Sequence, residues 1–388
     1  MRTNITFRLF RQRRPWLAAA LAVVCGCAAL YAQAPGGGSK PEPDVLVFTD
    51  GEKLIGQLVR AKGGSVTFKS DMAGEITVDW TKIQELRTSH PFAVIPKNVE
   101  LAKHVDTGQV PEGNLSMKDQ KIEVQAAAGA APRAIPVADA GFVVGQPEFE
   151  KAVNNEEGFL QDWGGTVVAG ISLVEATQKA ETFTGAISLV RAEPTVSWLN
   201  PSNRTLFDFS AAYGKVSQPG VPDIKTDIYH ADAERDQYFS PRLFGFGQIA
   251  LDHNFSQGLD LQQLYGGGLG WTVIKTGTQE FDVKASVDYI HQNFQVSSSN
   301  QSLVGSMFAE IYTRKLAHGV VFNEQISATP AWNNTRAWSA TGLASLSLPV
   351  HKRFSLSISS LDTFLNDPPP GFKKNSFQFT TGLSYALR

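Results

Sequence analysis

Apolar and polar residues alternate along the chain from residue 163 to its end. Neighbouring side chains of a strand point to opposite faces, so a period of two predicts strands that each have one apolar and one polar face. Recurring turn residues divide this region into twelve predicted strands, at 163–175, 180–191, 203–215, 224–237, 241–254, 260–275, 279–292, 302–315, 317–329, 334–348, 351–363 and 373–388.

The length and number of these segments favour a transmembrane β-barrel. Soluble strands usually have ~5–6 residues, whereas most of these are long enough to cross a bilayer at a tilt. An even number of antiparallel strands is typical of outer-membrane barrels. Closure of the barrel pairs every strand edge, which matters because lipid offers no hydrogen-bond partner to unpaired backbone groups. A soluble β-sandwich also alternates, but its strands are shorter and its apolar face meets a second sheet.

Shorter strands precede this region. Residues 44–86 contain four or five apolar runs separated by Gly-containing turn pairs, which predicts a small β-barrel module at 44–95. A weaker repeat of this pattern follows, in which Gly56-Gln57-Leu58 recurs as Gly113-Asn114-Leu115. The repeat predicts a second small module at 97–145.

The remaining N-terminal segments are predicted to be a signal peptide and linkers. Residues 1–34 have a basic start, a short apolar stretch and a small-x-small cleavage pattern, which together indicate a secretory signal peptide. Residues 35–43 are rich in Gly and Pro and predict a linker, and the acidic residues 146–162 predict a connector. Both cysteines, Cys25 and Cys27, lie in the signal segment. A lipobox-like sequence around Cys27 leaves its lipidation as an alternative.

Removal of the signal segment changes the charge of the chain. The segment holds five Arg and no acid, so the mature chain has 35 − 5 = 30 basic against 37 acidic residues, a net charge of −7. A mildly acidic exported chain lacks the clustered Lys and Arg that nucleic-acid phosphates need, so we expect no nucleic-acid partner. A mature chain without cysteine has no disulfide or thiolate site.

The sequence contains no recognised catalytic, cofactor or metal motif. None of the seven His residues occurs in HExxH, in a GxSxG context or in a Cys/His metal spacing. We therefore expect no catalytic residue, no cofactor and no metal. Outer-membrane lipid hydrolases use Ser and His near the bilayer surface, so a barrel lipid-modifying hydrolase that uses His253, His291 or His351 stays an alternative.

Charged residues recur at alternate positions on three of the predicted strands. Alternation predicts that they share the lumen face, where they would form either a cation-preferring pore wall or a salt-bridged network that fills a narrow interior; we favour the second. The predicted lumen charge cluster is His230, Asp232, Glu234, Asp236, Asp282 and Lys284, with Arg204, Asp208 and Asp288 on the same face.

Three glycines, Gly266, Gly268 and Gly270, also fall on the predicted lumen face, opposite Tyr265 and Trp271. Glycine weakens a strand, but its missing side chain lets a closed sheet coil sharply and leaves room for bulky inward groups. A phosphate-binding loop is excluded because the glycine spacing is wrong and a strand continues where a helix should begin. We therefore interpret these glycines as barrel-shaping.

Residues 228–274 resemble a known family. The motifs that carry the resemblance are Glu234-Arg235-Asp236, Tyr238-Phe239-Ser240-Pro241-Arg242, Phe244, Leu259-Asp260-Leu261, the cluster Gly266–Gly270, and Trp163-Gly164-Gly165 at the barrel entrance. The chain resembles, over about residues 163–388, the outer-membrane β-barrel family of unknown function whose members are often called salt-induced outer membrane proteins. The small modules resemble the Lsm- or SH3-like periplasmic domains that accompany some of these barrels. The resemblance implies a fold and a location, but no activity.

These observations predict an all-β protein. We expect a transmembrane barrel of about twelve antiparallel strands in the outer membrane, preceded by one or two small SH3/Lsm-like modules in the periplasm. The expected partners are the lipid bilayer and, during biogenesis, the barrel-assembly machinery. The expected function is envelope structure or passive passage of small solutes, without catalysis. The alternatives are a soluble or lipid-anchored periplasmic β-protein that binds a ligand or partner, and the lipid-modifying hydrolase.

Overall fold

The structure is a computed structural model that describes residues 42–103, 108–125, 131–154, 158–175, 179–218 and 221–387. The predicted signal peptide, both cysteines and most of the predicted linker lie outside the described residues. The described ranges are almost entirely β-structure, as the alternating sequence predicts. No helix within them is long and apolar enough to span a membrane.

The N-terminal region folds as one sheet. Its strands are β1 (Asp44–Phe48), β2 (Lys53–Lys62), β3 (Ser65–Ser70), β4 (Gly74–Asp79), β5 (Ile83–Pro96), β6 (Glu112–Lys118), β7 (Lys121–Gln125), β8 (Arg133–Pro136) and β9 (Ala140–Gly145). The order is β4-β3-β2-β1-β5-β6-β7-β8, and β9 pairs with both β2 and β5. Phe68 and Trp80 from the first half and Met117 from the second share one buried cluster. Strands on both sides of the predicted boundary thus share one core, and the division into two modules stays a prediction.

The predicted connector contains a helix, α1 (Gln146–Asn154). Phe149 and Val153 are four residues apart, so they lie on one face of the helix, and both are buried. The helix was not predicted because the segment 146–162 is mostly acidic. A narrow apolar stripe on one face is enough to bury a helix, and so short a stripe hardly changes the composition.

Twelve further strands close into an antiparallel barrel, which confirms the predicted number. They are β10 (Gly164–Glu175), β11 (Lys179–Glu193), β12 (Asn203–Gln218), β13 (Val221–Tyr238), β14 (Leu243–Asn254), β15 (Leu259–Lys275), β16 (Gln279–Phe294), β17 (Gln301–Lys315), β18 (Val321–Thr329), β19 (Ser339–His351), β20 (Phe354–Leu365) and β21 (Asn375–Ala386). Each pairs with the next, and β21 pairs with β10.

The outer surface of the barrel is apolar. On β15, Leu269 and Trp271 are 58% and 51% exposed, whereas Thr272 is fully buried on the inner side. Large exposed apolar side chains recur at alternate positions of the other strands, including Phe207, Phe209, Ile249, Val287, Phe308 and Leu383. This inverts the burial expected of a water-soluble sheet and matches a barrel whose outside meets lipid.

The two ends of the barrel differ in their connections. We call the end with the start of β10 and the end of β21 the terminal rim, and the opposite end the loop rim. Connections at the terminal rim are short at 239–242, 276–278, 316–320 and 352–353, and longer at 194–202. The described connections at the loop rim are 255–258, 295–300, 330–338 and 366–374. Outer-membrane barrels have short periplasmic turns and longer extracellular loops.

The connection 194–202 packs against the N-terminal region. The Trp198 ring stacks on Phe149 of α1, with 5.4 Å between ring centroids, and the backbone N–H of Asn200 donates to the carbonyl oxygen of Leu101 at 2.7 Å. Apolar side chains of β5, β9 and α1 complete this cluster. The long connection at the terminal rim is therefore an anchor for the preceding sheet.

Candidate functional site in the barrel lumen

The inward faces of β12 to β16 carry most of the charge of the barrel interior. Strand alternation, the register of the pairs and the burial of every second residue all place these groups on the lumen side. We call them the acidic wall: the carboxyl groups of Asp208, Asp232, Glu234, Asp236, Asp252, Glu280, Asp282 and Asp288, with the basic Arg204 and Lys284 and with His230.

Arg204 joins three strands of the acidic wall near the terminal rim. Its Nε donates to Asp236 at 2.7 Å and its Nη2 donates to Asp282 at 3.0 Å. Its Nη1 also reaches Glu280 at 3.3 Å, and the guanidinium lies over the Phe244 ring at 5.3 Å. The other carboxylate oxygens of Asp236 and Asp282 are buried and have no hydrogen-bond partner among the described residues. This layer therefore holds more carboxylate than its one cation can satisfy.

Two further layers follow towards the loop rim. Lys284 donates to Glu234, both side chains are buried, and the ammonium group lies 5.0 Å from the centre of the Phe246 ring. The two ring nitrogens of His230 then contact Asp252 at 2.6 Å and Asp232 at 3.1 Å. The predicted cluster is thus divided into three separate pairings along the barrel axis.

An amide ladder continues this network to the loop rim. Gln262 donates to Asp252 at 2.9 Å, Gln292 donates to Gln262 at 2.7 Å, and Gln301 donates to Gln292 at 2.8 Å. Asn334 then donates to Gln301 at 3.1 Å. The amides were missed from the sequence because only charged residues were considered, and Asp252 was missed because only three of the predicted strands were considered. Asp252, Gln262, Gln292 and Gln301 occupy inward positions in the alternation of β14 to β17, which could have revealed them, whereas Asn334 lies in a connection where alternation gives no signal.

Hydroxyl groups predominate in the other half of the lumen, which also contains Gln325, Leu343 and Leu361. Strand register places these side chains on the inner face. We call them the hydroxyl wall: Thr184, Ser188, Ser327, Thr341, Ser345, Ser347, Ser355, Ser357, Ser359 and Thr380. They are partly or fully exposed, whereas Asp236, Asp282 and Asp288 of the acidic wall are at most 2% exposed. Accessible side chains therefore line the hydroxyl wall, together with the part of the acidic wall around His230 and Asp252, whose side chains are 39% and 28% exposed.

The three predicted glycines lie on the lumen face of β15. A Cβ on Gly266 would overlap the Asp288 carboxylate, and one on Gly270 would overlap the Phe244 ring. A Cβ on Gly268 would instead overlap the carbonyl oxygen of Ala285 and lie 2.6 Å from the Cα of Ser286 on β16. Two glycines thus leave room for inward side chains, and the third permits the close approach of two strand backbones.

The histidines considered for catalysis do not come together. His253 contacts the carbonyl oxygen of Asp260 at 2.7 Å. His291 contacts the Ser302 hydroxyl at 2.9 Å as a cross-strand pair, and His351 is exposed at the end of β19. Within the described ranges, no group of three or more His, Cys, Asp or Glu side chains could hold a metal ion.

A closed barrel of twelve antiparallel strands, apolar outside and polar inside, has the architecture of a transmembrane β-barrel. A family model described as "Protein of unknown function, DUF481" matches residues 167–387, which is more than half of the chain. The chain belongs to this family. No curated protein sequence matches it.

Three solved structures are similar to the barrel region at low identity. The NanC porin covers 58% of this chain and 100% of its own, with 12% identity and a TM-score of 0.34. An outer membrane channel from Pseudomonas putida F1 covers 60% and 100%, with 11% identity and a TM-score of 0.35. The beta domain of the Bordetella autotransporter BrkA covers 58% and 98%, with 11% identity and a TM-score of 0.30.

Proposed function

We propose that this protein is a non-catalytic pore of the outer membrane that passes small hydrophilic solutes passively and favours cations. The observation that carries the proposal is the unequal lumen. The hydroxyl wall leaves accessible space on its side, and the acidic wall has eight carboxyl groups against two basic side chains and one histidine. A water-filled path beside surplus carboxylate attracts cations and repels anions.

The proposed orientation places the terminal rim and the N-terminal sheet in the periplasm. The short turns at the terminal rim support it, because periplasmic turns of outer-membrane barrels are short. The anchor at 194–202 would hold the sheet beside that rim. The proposed partners are the bilayer and, during biogenesis, the barrel-assembly machinery.

Planar-bilayer recording tests the pore directly. The full exported protein should give stepwise single-channel currents, and in a KCl gradient the reversal potential should have the sign of cation preference. A heat-modifiable gel shift shows that the inserted protein is folded. If the folded protein gives no current, the pore is contradicted and a purely structural barrel is favoured. Currents with anion preference would contradict the role assigned to the acidic wall.

Location requires a separate measurement. Membrane fractionation should recover the protein with the outer membrane, and intact mass should show the loss of residues 1–34. A protein released in full by osmotic shock would contradict membrane insertion. A mass increase that corresponds to acylation at Cys27 would instead favour the lipid-anchored alternative.

A further inference from the structure

We propose that the barrel is open laterally between β10 and β21 on the side of the loop rim, and that this opening gives an amphiphile a route between the lumen and the outer leaflet. The inference rests on the proposed membrane location, but it does not require that solutes cross from end to end. The occupant would have an apolar tail and an uncharged head that forms hydrogen bonds.

The closing strand pair has the shortest ladder among the described pairs of the barrel. It runs only from Thr166 opposite Ala386 to Ala169 opposite Leu383. The backbone N–H of Leu387 adds one hydrogen bond to Gly165 at the terminal rim. β10 nevertheless stays paired with β11 to its last residue, Glu175. Beyond Ala169 the strand is thus paired with β11 on one edge, and on the other edge it has no described ladder pair with β21.

Two glycines mark the place where pairing stops. A Cβ on Gly170 would lie 2.7 Å from the carbonyl oxygen of Thr381, and one on Gly382 would lie 2.6 Å from the carbonyl oxygen of Ala169. The two backbones therefore still lie close together immediately after the last ladder pair. Strands that meet this closely at glycines can diverge beyond them without first separating bulky side chains.

The outer side chains beside the unpaired edge are aromatic and exposed. Phe377 and Phe379 of β21 are 64% and 65% exposed, in the range of other lipid-facing side chains such as Phe308 at 58%. The exposed rings would contact an apolar tail that lies in the outer leaflet.

Four inner side chains beside the same edge are polar and uncharged. Thr380 of β21, Ser357 and Ser359 of β20, and Thr184 of β11 face the lumen there. Each unsatisfied backbone group in hydrocarbon costs several kcal/mol, so an opening at this depth needs water or a polar head group to satisfy it. Hydroxyls on the inside and aromatic rings on the outside match an amphiphile that lies across the seam.

Thiol labelling tests the route. Single cysteines are introduced at three positions of the full protein in vesicles: Phe379→Cys on the outer face, Thr380→Cys inside the seam and Ser345→Cys inside the lumen on β19. Hexadecyl methanethiosulfonate in the bilayer reacts when the thiolate attacks its sulfenyl sulfur, which forms a mixed disulfide and releases methanesulfinate. We expect labelling of Phe379→Cys and Thr380→Cys, with slower labelling of Ser345→Cys. Labelling of Phe379→Cys without Thr380→Cys would overturn the lateral route.

A water-soluble cationic methanethiosulfonate separates this proposal from the pore. If it labels Ser345→Cys while the alkyl reagent fails at Thr380→Cys, the lumen is open to water and sealed towards lipid, so only the lateral route fails. If the alkyl reagent labels Thr380→Cys and the cationic reagent fails at Ser345→Cys, the lateral route holds and the pore fails.

Disulfide trapping gives a second readout. Val168→Cys with Ser384→Cys lies within the ladder and should cross-link readily. Positions 172 and 380 would lie opposite each other only if the ladder continued beyond Ala169. We therefore expect the variant Ser172→Cys with Thr380→Cys to cross-link much less than the first pair under the same oxidation. Equal cross-linking of the two pairs would show a closed seam and overturn the proposal.

Discussion

The acidic wall and the hydroxyl wall are built from the same alternating strands, yet they fill the lumen differently. Long charged side chains on β12 to β16 reach one another and bury their polar ends, as Arg204 does between Asp236 and Asp282. Short hydroxyl side chains on β18 to β20 leave accessible space in front of them. Twelve strands lie between filled barrels of about eight strands and open porins of about 16–18. Side-chain length therefore distinguishes the two walls, and in the proposed pore it would decide on which side the path runs.

The largest expected effect comes from the glycine that lets β15 approach β16. Gly268→Val should prevent barrel assembly, because even its Cβ would overlap the Ala285 carbonyl oxygen. The matched variant Gly267→Val faces lipid and should assemble, since a Cβ there has its nearest heavy atom 3.4 Å away. A heat-modifiable gel shift compares the two, and a folded Gly268→Val barrel would contradict the role given to this glycine.

The second effect concerns the buried pair of the acidic wall. Lys284→Met leaves Glu234 as an uncompensated buried charge, which should lower the free energy of unfolding by about 3–5 kcal/mol. The double variant Glu234→Gln with Lys284→Met should recover much of that loss. Urea unfolding in detergent measures both, and equal losses in the single and double variants would show that the pairing does not matter.

The hydroxyl wall should control conductance. Ser357→Trp places a large ring in the open part of the lumen and should strongly reduce single-channel current, whereas Ser360→Trp on the lipid face should leave it unchanged. Folding is monitored by the same gel shift. If both variants conduct like the wild type, the open path does not run beside the hydroxyl wall.

A single carboxylate of the acidic wall should make a smaller difference. Asp252→Asn removes one of its eight carboxyl groups, so the reversal potential in a KCl gradient should move a few millivolts towards zero. Asp362→Asn lies on the outer face of β20 and is the matched control. An equal shift in both variants would show that lumen charge does not set the preference.

The smallest effect tests the hydroxyl wall as a structural element. Ser357→Ala removes a partly exposed hydroxyl and should change the free energy of unfolding by less than about 0.5 kcal/mol. A larger loss in the same urea experiment would mean that this wall, like the acidic wall, contributes a stabilising hydrogen-bond network.

Much of the barrel could be predicted because its signal is local. Alternation along each strand indicates which residues face lipid, and it placed His230, Glu234, Asp282 and the β15 glycines on the inner face before any pairing was known. The helix α1 was missed because two buried residues, Phe149 and Val153, hardly change an acidic segment.

The sequence by itself determined the strands, their two faces and their number, because side-chain period and turn residues are properties of neighbouring positions. Only the tertiary structure decided which inward groups meet. The contact of Arg204 with Asp282 joins β12 to β16, and the short ladder between β10 and β21 depends on how the barrel closes. The contact and the short ladder both depend on the register between strands and on the coiling of the closed sheet. These are properties of the whole sheet, and the sequence of a single strand does not determine them.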